Sequence, residues 1–348
     1  MTSHTDHSTN GGPGRLLTAA AAITGGLLVL RALTKRARTI ELAGRVALVA
    51  GGSRGLGLVI ARELASRGAR VVICARDQPE LDRAVLDLEA RGAEVRGVAC
   101  DVGDENDVAR MMDTVEQEFG RLDVLINNAG VIQVGPPELM REDDYEQAMR
   151  IHFWGPLRTT QAALPLMRRR REGRIVNITS IGGKIPVAHL LPYSASKFAL
   201  AGFSKGIRAP LAKENIFVTT VFPGLMRTGS PRHAQLRGDH EAEYAWFSIA
   251  DSLPGLTTSA TRAARQIVDA CRRGDAELIM PFQYRIAAIA HTLFPELAAD
   301  LLTLAERALP SSAGEDDALR FGWESTSSLS PSLLTRLGDR AAQRNNEL

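Results

Sequence analysis

Short apolar runs alternate with longer amphipathic stretches through the middle of the chain, from residue 45 to residue 281. The amphipathic stretches, such as 58–66, 81–90 and 108–119, carry apolar residues at the spacing of one helix face. Strands that alternate with helices form parallel sheets covered on both faces, and such strands read as continuous apolar runs. The pattern therefore predicts a doubly wound α/β domain. Its predicted strands are 46–50, 71–75, 95–100, 124–127, 175–179, 218–222 and 278–280.

The N-terminal region departs from this pattern. Residues 1–14 are polar and predict a disordered lead, whereas 16–30 carry no charge and precede a basic cluster at 31–38. The apolar run is shorter than the roughly 20 residues that span a membrane. Two interpretations stay open: residues 16–33 associate with a membrane, or they form a helix buried on a soluble domain. In the first case the basic cluster would leave the main domain in the cytoplasm.

The chain changes character again beyond residue 285. Residues 286–309 carry apolar side chains at helical spacing, interrupted by Pro295, and 312–330 are rich in serine, glycine and acids. The apolar stretch could cap the main domain or lie on a membrane surface, and we favour packing on the domain. We divide the chain into a lead with a hydrophobic segment at 1–40, a main domain at 41–285, and a helical extension with a flexible tail at 286–348.

Composition and charge narrow the range of partners. Hydrophobic residues make up 45% of the 348 residues and charged residues 24%, as in an ordinary globular protein. The 42 basic and 40 acidic residues leave a net charge of +2, so the electrostatic footprint of a nucleic-acid-binding protein is missing. Cys74, Cys100 and Cys271 lie far apart and the histidines do not cluster, so we expect neither a disulfide framework nor a metal site.

A glycine-rich segment follows the first predicted strand and opens a helix. In Ala50-Gly-Gly-Ser-Arg-Gly-Leu-Gly57, the glycines at 51, 55 and 57 allow a tight turn and a close approach of the backbone to a pyrophosphate. The free N–H groups at the start of the helix then face the anion. This context predicts a dinucleotide site that includes Gly51, Ser53, Arg54, Gly55, Leu56 and Gly57.

Two further motifs follow the glycine segment, Asn127-Asn128-Ala129-Gly130 and Tyr193-Ser-Ala-Ser-Lys197. With the motifs in this order, residues 44–282 resemble the short-chain dehydrogenase/reductase family. The resemblance implies a single Rossmann-fold domain with a seven-stranded parallel sheet, hydride transfer with NAD(H) or NADP(H), and a homodimer or homotetramer. It also implies cofactor contacts by Asp101, Val102, Asn128, Ala129, Gly130, Tyr193, Lys197, Pro223, Gly224 and Thr228.

Three polar residues match the chemistry of interconverting an alcohol and a carbonyl. A free tyrosine has a pKa of about 10, and a lysine ammonium four residues later on the same helix face lowers it. Tyr193 and Lys197 have that spacing, and Ser180 ends the preceding strand. The resemblance assigns the matching roles: Tyr193 is the acid/base, Lys197 lowers its pKa and binds the nicotinamide ribose, and Ser180 orients the substrate.

One position departs from the family pattern. Members generally have an asparagine in the helix after the fourth strand, which helps to hold a water that links the lysine to solvent. This chain has His152 there, in Ile151-His152-Phe153-Trp154-Gly155. Because imidazole changes charge near neutral pH, His152 could join that proton path, and we count it as a catalytic candidate. The alternative is a buried histidine that bonds the local backbone.

The end of the second strand bears on the choice of cofactor. Members that use NAD commonly place an acid there, whereas this chain has Arg76, with Arg54 nearby in the glycine segment. Two guanidiniums suit a 2′-phosphate, so we expect NADP(H) rather than NAD(H). Asp77 follows directly and would repel that phosphate if it pointed inward.

The substrate is less determined by the sequence. Residues 224–258 form a long insertion with Tyr244, Trp246, Phe247 and Leu253, in a region that covers the active site in the family. These side chains either contact a lipophilic ketone, aldehyde or alcohol, or pack into the insertion's own core. We expect an NADPH-favouring oxidoreductase for a lipophilic carbonyl or alcohol. The alternative is a nucleotide-sensing or scaffold protein with little turnover.

Overall fold

The structure is a computed structural model, and the chain divides into two compact units, Met1–Ile40 and Glu41–Leu348. The predicted lead and most of the predicted hydrophobic segment at 16–33 lie outside the described residues. In the first unit, the Thr39 hydroxyl donates to the Lys35 carbonyl (2.8 Å) at the end of a short helix. The described residues are 25–26, 33–311 and 318–348.

The second unit is built on a parallel sheet. Its described strands are β1 (Val46–Ala50), β2 (Arg70–Ala75), β3 (Val95–Ala99), β4 (Val124–Asn127), β5 (Gln133–Val134), β6 (Gly173–Ile178), β7 (Ile216–Pro223), β8 (Met226–Arg227), β9 (Gln235–Leu236), β10 (Thr258–Ser259), β11 (Glu277–Met280) and β12 (Arg320–Phe321). Seven of them form one sheet in the order β11-β7-β6-β4-β1-β2-β3, and every pair in it is parallel. The predicted doubly wound, seven-stranded Rossmann sheet is confirmed.

Helices cover both faces of this sheet. The described helices of this unit, some of which lie outside those two layers, are α1 (Gly55–Ser66), α2 (Gln78–Glu89), α3 (Glu105–Phe119), α4 (Glu142–Met149), α5 (Gly155–Arg170), α6 (Leu191–Ala212), α7 (His240–Ser252), α8 (Ala260–Arg273), α9 (Phe282–Leu293), α10 (Pro295–Glu306) and α11 (Arg336–Arg344). The central strands β1, β4 and β6 bury every residue, including the polar Asn127, Arg174 and Asn177. The edge strand β3, which has one neighbour, buries none.

The C-terminal extension is helical, as predicted, but its apolar face does not pack on the domain as we expected. In α9 the stripe of Phe282, Ile286, Ile289 and Leu293 is between 53% and 70% exposed. The stripe faces outward because the opposite side of α9 is held, with the Tyr284 ring packed directly on Gly224. No single described helix has the length and apolarity of a membrane span; α9 and α10 pass that test only as a pair, bent by 117°.

Candidate active site

A cleft of about 930 Å³ opens at the carboxyl ends of the central strands. It lies where the strand order reverses, the position at which open α/β sheets bind their ligands. The structure brings every predicted site residue into its lining except Gly57. These residues are Gly51, Ser53, Arg54, Gly55, Leu56, Arg76, Asp101, Val102, Asn128, Ala129, Gly130, His152, Ser180, Tyr193, Lys197, Pro223, Gly224 and Thr228.

The glycine segment fits closely against the end of β4. Gly51 has a φ of +75°, and a Cβ there would lie 2.6 Å from the Ala129 Cα. Asn128 fixes the turn, because its Nδ2 donates to the Gly51 carbonyl (2.9 Å). Gly57 lies beneath the loop, where a Cβ would come within 1.8 Å of the Gly51 carbonyl oxygen. Gly57 therefore serves the packing of α1 against the loop rather than the cleft surface.

Ser180, Tyr193 and Lys197 meet on the opposite wall of the cleft. Ser180 follows β6, and its Oγ accepts a hydrogen bond from the Gly182 N–H (3.1 Å). Tyr193 lies in the first turn of α6 and hydrogen-bonds to Ser180. One turn later, the Lys197 Nζ donates to the Ile178 carbonyl (3.1 Å) and lies 5.5 Å from the centre of the Tyr193 ring.

Burial dominates the electrostatics of this group. It raises the pKa of Tyr193 above its ordinary value, against the lowering effect of the Ser180 hydrogen bond. It also lowers the pKa of Lys197 to about 7. The pKa of Tyr193 is thus raised in this structure because burial outweighs the lowering effect of Ser180. The lowering of that pKa by Lys197 together with the positive nicotinamide stays a prediction.

His152 is fully buried in a π-helical turn, Arg150–Trp154, that joins α4 to α5. Its Nε2 accepts from the Val131 N–H (3.1 Å), so the ring proton lies on Nδ1, which is 2.8 Å from the Ser196 Oγ. Burial and the charge of Lys197 lower the pKa of His152 well below 6.5. This geometry favours the second of our two interpretations, a neutral histidine that bonds the local backbone.

The two arginines at the far end of the cleft differ in exposure and in their ion pairs. Arg76 is exposed at the cleft wall. Arg54 pairs with Glu80 (2.8 Å), which also accepts from the Ser53 hydroxyl. Asp77 caps α2, accepting from the Glu80 N–H (2.7 Å). Glu80, which the sequence reasoning missed, thus places a carboxylate beside one of the two predicted guanidiniums.

The aromatic insertion packs into its own core. Tyr244 and Phe247 are buried in a cluster with Leu190 and Leu236, and the four singled-out side chains do not line the cleft. The insertion helix α7 is held by Glu243, whose carboxylate lies 2.6 Å from the His189 Nδ1. Of the two alternatives from the sequence, the structure supports internal packing.

Other side chains form the open part of the cleft, and several come from the end of the chain. Phe321 and Trp323 stack on each other, with ring centres 4.3 Å apart, and both line the cleft. Asn346, Glu347 and Leu348 line it as well. The sequence reasoning missed these residues, because no local motif marks them and their position depends on the path of the whole chain.

Comparison with known proteins decides the family. The family model described as short chain dehydrogenase matches residues 45–237, which is more than half of the chain. The chain belongs to the short-chain dehydrogenase/reductase family. This dehydrogenase/reductase is accordingly an NAD(P)-dependent oxidoreductase.

Individual relatives of this dehydrogenase/reductase include several reductases. It is similar to a putative ketoacyl reductase from Streptomyces coelicolor, with 38% identity over 214 residues, or 61% of this chain and 81% of the relative. It is 30% identical to a fatty acyl-CoA reductase from Acinetobacter baylyi over 283 residues, or 80% of this chain and 90% of the relative. A solved structure of an actinorhodin polyketide ketoreductase variant with NADPH matches with a TM-score of 0.62 and 32% identity, covering 68% of this chain and 95% of that one.

Proposed function

We propose that this protein is an NADP(H)-dependent reductase of lipophilic ketones or aldehydes. The observation that carries the proposal is a single cleft that joins a dinucleotide-type glycine loop to Ser180, Tyr193 and Lys197. The similarity to a ketoacyl reductase and a fatty acyl-CoA reductase supports a carbonyl on an acyl chain as the substrate. The apolar side chains Ile132, Phe321 and Trp323 in the cleft lining support the same class.

The residues of the cleft fit a dinucleotide. Gly51 and Gly55 both have positive φ and carry no side chain at the start of α1, so a pyrophosphate could approach the backbone there once the contacts of Asn345 and Glu347 with Gly55 are released. We assign the adenine end to Asp101 and Val102 and the nicotinamide end to Pro223, Gly224 and Thr228, all of which line the cleft. When bound, the reduced dinucleotide supplies the hydride.

The side chains around the substrate carbonyl donate a proton to its oxygen and orient that oxygen. Tyr193 donates its phenolic proton to the carbonyl oxygen as that oxygen gains charge, and its raised pKa keeps it protonated at neutral pH. Ser180 already hydrogen-bonds to Tyr193 and orients the same oxygen. Lys197 binds the nicotinamide ribose from the next turn of α6. We assign His152 a positioning role, since both of its ring nitrogens are committed to Val131 and Ser196.

The preference for NADP(H) rests on Arg76. Its exposed guanidinium lines the cleft, while Asp77 is turned to the start of α2 and accepts from a backbone N–H. The similarity to a ketoreductase solved with NADPH supports the same cofactor. Arg54 can bind a 2′-phosphate only when its ion pair with Glu80 opens.

Membrane association and self-association belong to the same proposal. The uncharged run at 16–30 supports a membrane anchor at residues 16–33, and the outward apolar stripe of α9 supports only an auxiliary contact with the same membrane. A homodimer or homotetramer through the long helices of the active site stays a prediction from the family, supported by the exposed Trp154 and Phe198.

Deletion of residues 1–38 should move the protein from the membrane to the soluble fraction with its activity intact. A full-length protein that fractionates as soluble would contradict the anchor.

Mixing the protein with NADPH and then with a carbonyl panel tests the function. We expect cofactor fluorescence to change on binding, and NADPH to be consumed when medium-chain aldehydes or β-ketoacyl thioesters are added. Binding without consumption on any carbonyl would favour the alternative, a nucleotide sensor. The departure from the family pattern at His152 is the feature that favours this alternative.

A further inference from the structure

The last residues of the chain, the C-terminal segment 341–348, enter the cleft from the side of β8. The helix α11 leads to it, and Ala342 packs on Gly229, where a Cβ would come within 2.6 Å of the Ala342 Cα. Asn345 is buried and donates from Nδ2 to the Thr228 carbonyl (3.2 Å). The segment is therefore fixed beside residues that we assign to the nicotinamide end.

The segment then crosses to the glycine loop and uses its backbone groups. The Gly55 N–H donates to the Asn345 carbonyl (2.8 Å). The Asn346 Nδ2 donates to the Ser53 carbonyl (2.9 Å) and to the Glu80 carbonyl (3.0 Å). The segment thus contacts the loop that we assign to the pyrophosphate.

Glu347 brings a carboxylate to the same place. Its side chain is buried, with Oε2 3.1 Å from the His233 Nε2 and 3.4 Å from the Arg54 Nε. Its Oε1 lies so close to Gly55 that a Cβ there would be 2.5 Å away. The carboxylate therefore lies beside the first residue of α1, where the helix dipole favours an anion, while the Asn345 carbonyl accepts from the Gly55 N–H.

We propose that the C-terminal segment is an internal competitor of the dinucleotide. Glu347 holds the anion position at the start of α1 and engages Arg54, so that the cofactor binds only after the segment has left. This inference rests on the proposed function, since it requires the cleft to be a dinucleotide site. A carboxylate and a pyrophosphate cannot share this position, because they occupy the same space and repel each other.

Two measurable consequences follow from this competition. The apparent dissociation constant of the cofactor is the intrinsic one divided by the fraction of molecules in which the segment is displaced. By linkage, the cofactor must favour the displaced segment to the same extent that the segment opposes the cofactor. Weakening the segment therefore tightens cofactor binding, and adding cofactor frees the segment.

Calorimetric titration with NADPH and with NADH tests the first consequence. It compares the full chain with a chain that ends after Asn345 and with Glu347→Gln, which keeps the shape and removes the charge. The matched control is Glu296→Gln, which removes an exposed carboxylate on α10 outside the cleft. We expect both tail variants to bind NADPH on the order of 10-fold more tightly than the full chain and the control to bind unchanged.

Unchanged or weaker binding in both tail variants would overturn the inference while leaving the dinucleotide site standing. Failure of every form to bind either dinucleotide would overturn the proposed function and the inference together. Hydrogen exchange in the full chain provides a readout that needs no variant to fold. Saturating NADPH should speed exchange in residues 341–348. Slower exchange would show that the segment closes over the cofactor, which contradicts competition.

Discussion

The two sides of the cleft are built in different ways. The cofactor side consists of short contiguous motifs on the ends of buried strands, with Gly51 and Asn128 locked by one hydrogen bond. The open side is assembled from distant pieces, including Phe321 and Trp323 near the end of the chain. The first side is therefore fixed by local motifs, whereas the second depends on contacts between segments that lie far apart in the chain. We expect the reaction class to follow from the first and the substrate and regulation to follow from the second.

We expect the largest effect from removal of the proton donor at the end of the cofactor side. Tyr193→Phe keeps the ring and deletes the hydroxyl that bonds Ser180. Turnover should fall by about 100-fold or more, since a positioned general acid contributes roughly that much. NADPH affinity should change little in a calorimetric titration. A Tyr193→Phe variant that retains its turnover would show that Tyr193 is not the proton donor.

The choice of cofactor is expected to depend on Arg76, which lies on the cofactor side of the cleft. Replacing Arg76 with Leu should weaken NADPH by roughly 10- to 150-fold, the equivalent of about 1.5–3 kcal/mol for a charge-assisted contact. NADH, which lacks the 2′-phosphate, should be little affected. Equal weakening of NADPH and NADH binding would show that Arg76 does not set the cofactor preference, and would assign that preference to Arg54 and Glu80.

The smallest expected effect concerns His152, where this chain departs from its family. Because its pKa is lowered well below 6.5, the unfolded chain takes up a proton near pH 6.5 that the folded chain refuses. The free energy of unfolding should therefore fall as the pH drops below 6.5, and less steeply in His152→Asn. Denaturant unfolding at pH 7.5 and 5.5 measures this difference.

The kinetics of the same position give a second check. The pH–rate profile should show no ionisation from His152 between pH 6.5 and 9, in contrast to the proton-relay hypothesis. His152→Leu leaves the Val131 N–H without its acceptor and should cost about 1–3 kcal/mol of stability. If the pH–rate profile shows an ionisation that His152→Asn abolishes, the proton-relay role of His152 would be supported and its positioning role contradicted.

The parts that could be predicted from the sequence are those fixed by local geometry. Tyr193 and Lys197 are one helical turn apart in any helix, and strand order brings the ends of β1 and β4 together. Their electrostatics could not be predicted, because the pKa values of both side chains depend on burial by surrounding elements.

The predictions for residues outside the sequence motifs were wrong or missing for a different reason. An apolar stripe shows that a helix has two faces, but not which of them meets the domain, so the expected packing of the apolar side of 286–309 on the domain was wrong for α9. Tyr244 and Phe247 are equally apolar whether they line a cleft or fill a core. The approach of Glu347 to Gly55 joins opposite ends of the chain, and no spacing rule covers such a contact.

Isotope transfer tests the central claim most directly. The full chain would be incubated with NADPH that carries deuterium at both hydrogens of nicotinamide carbon 4, and with a β-ketoacyl thioester or a fatty aldehyde. Mass spectrometry of the alcohol product then reports where its new hydrogen came from. We predict one deuterium on the carbon that bears the hydroxyl. The absence of an alcohol, or an alcohol without deuterium at that carbon, would contradict the assignment of this cleft to hydride transfer.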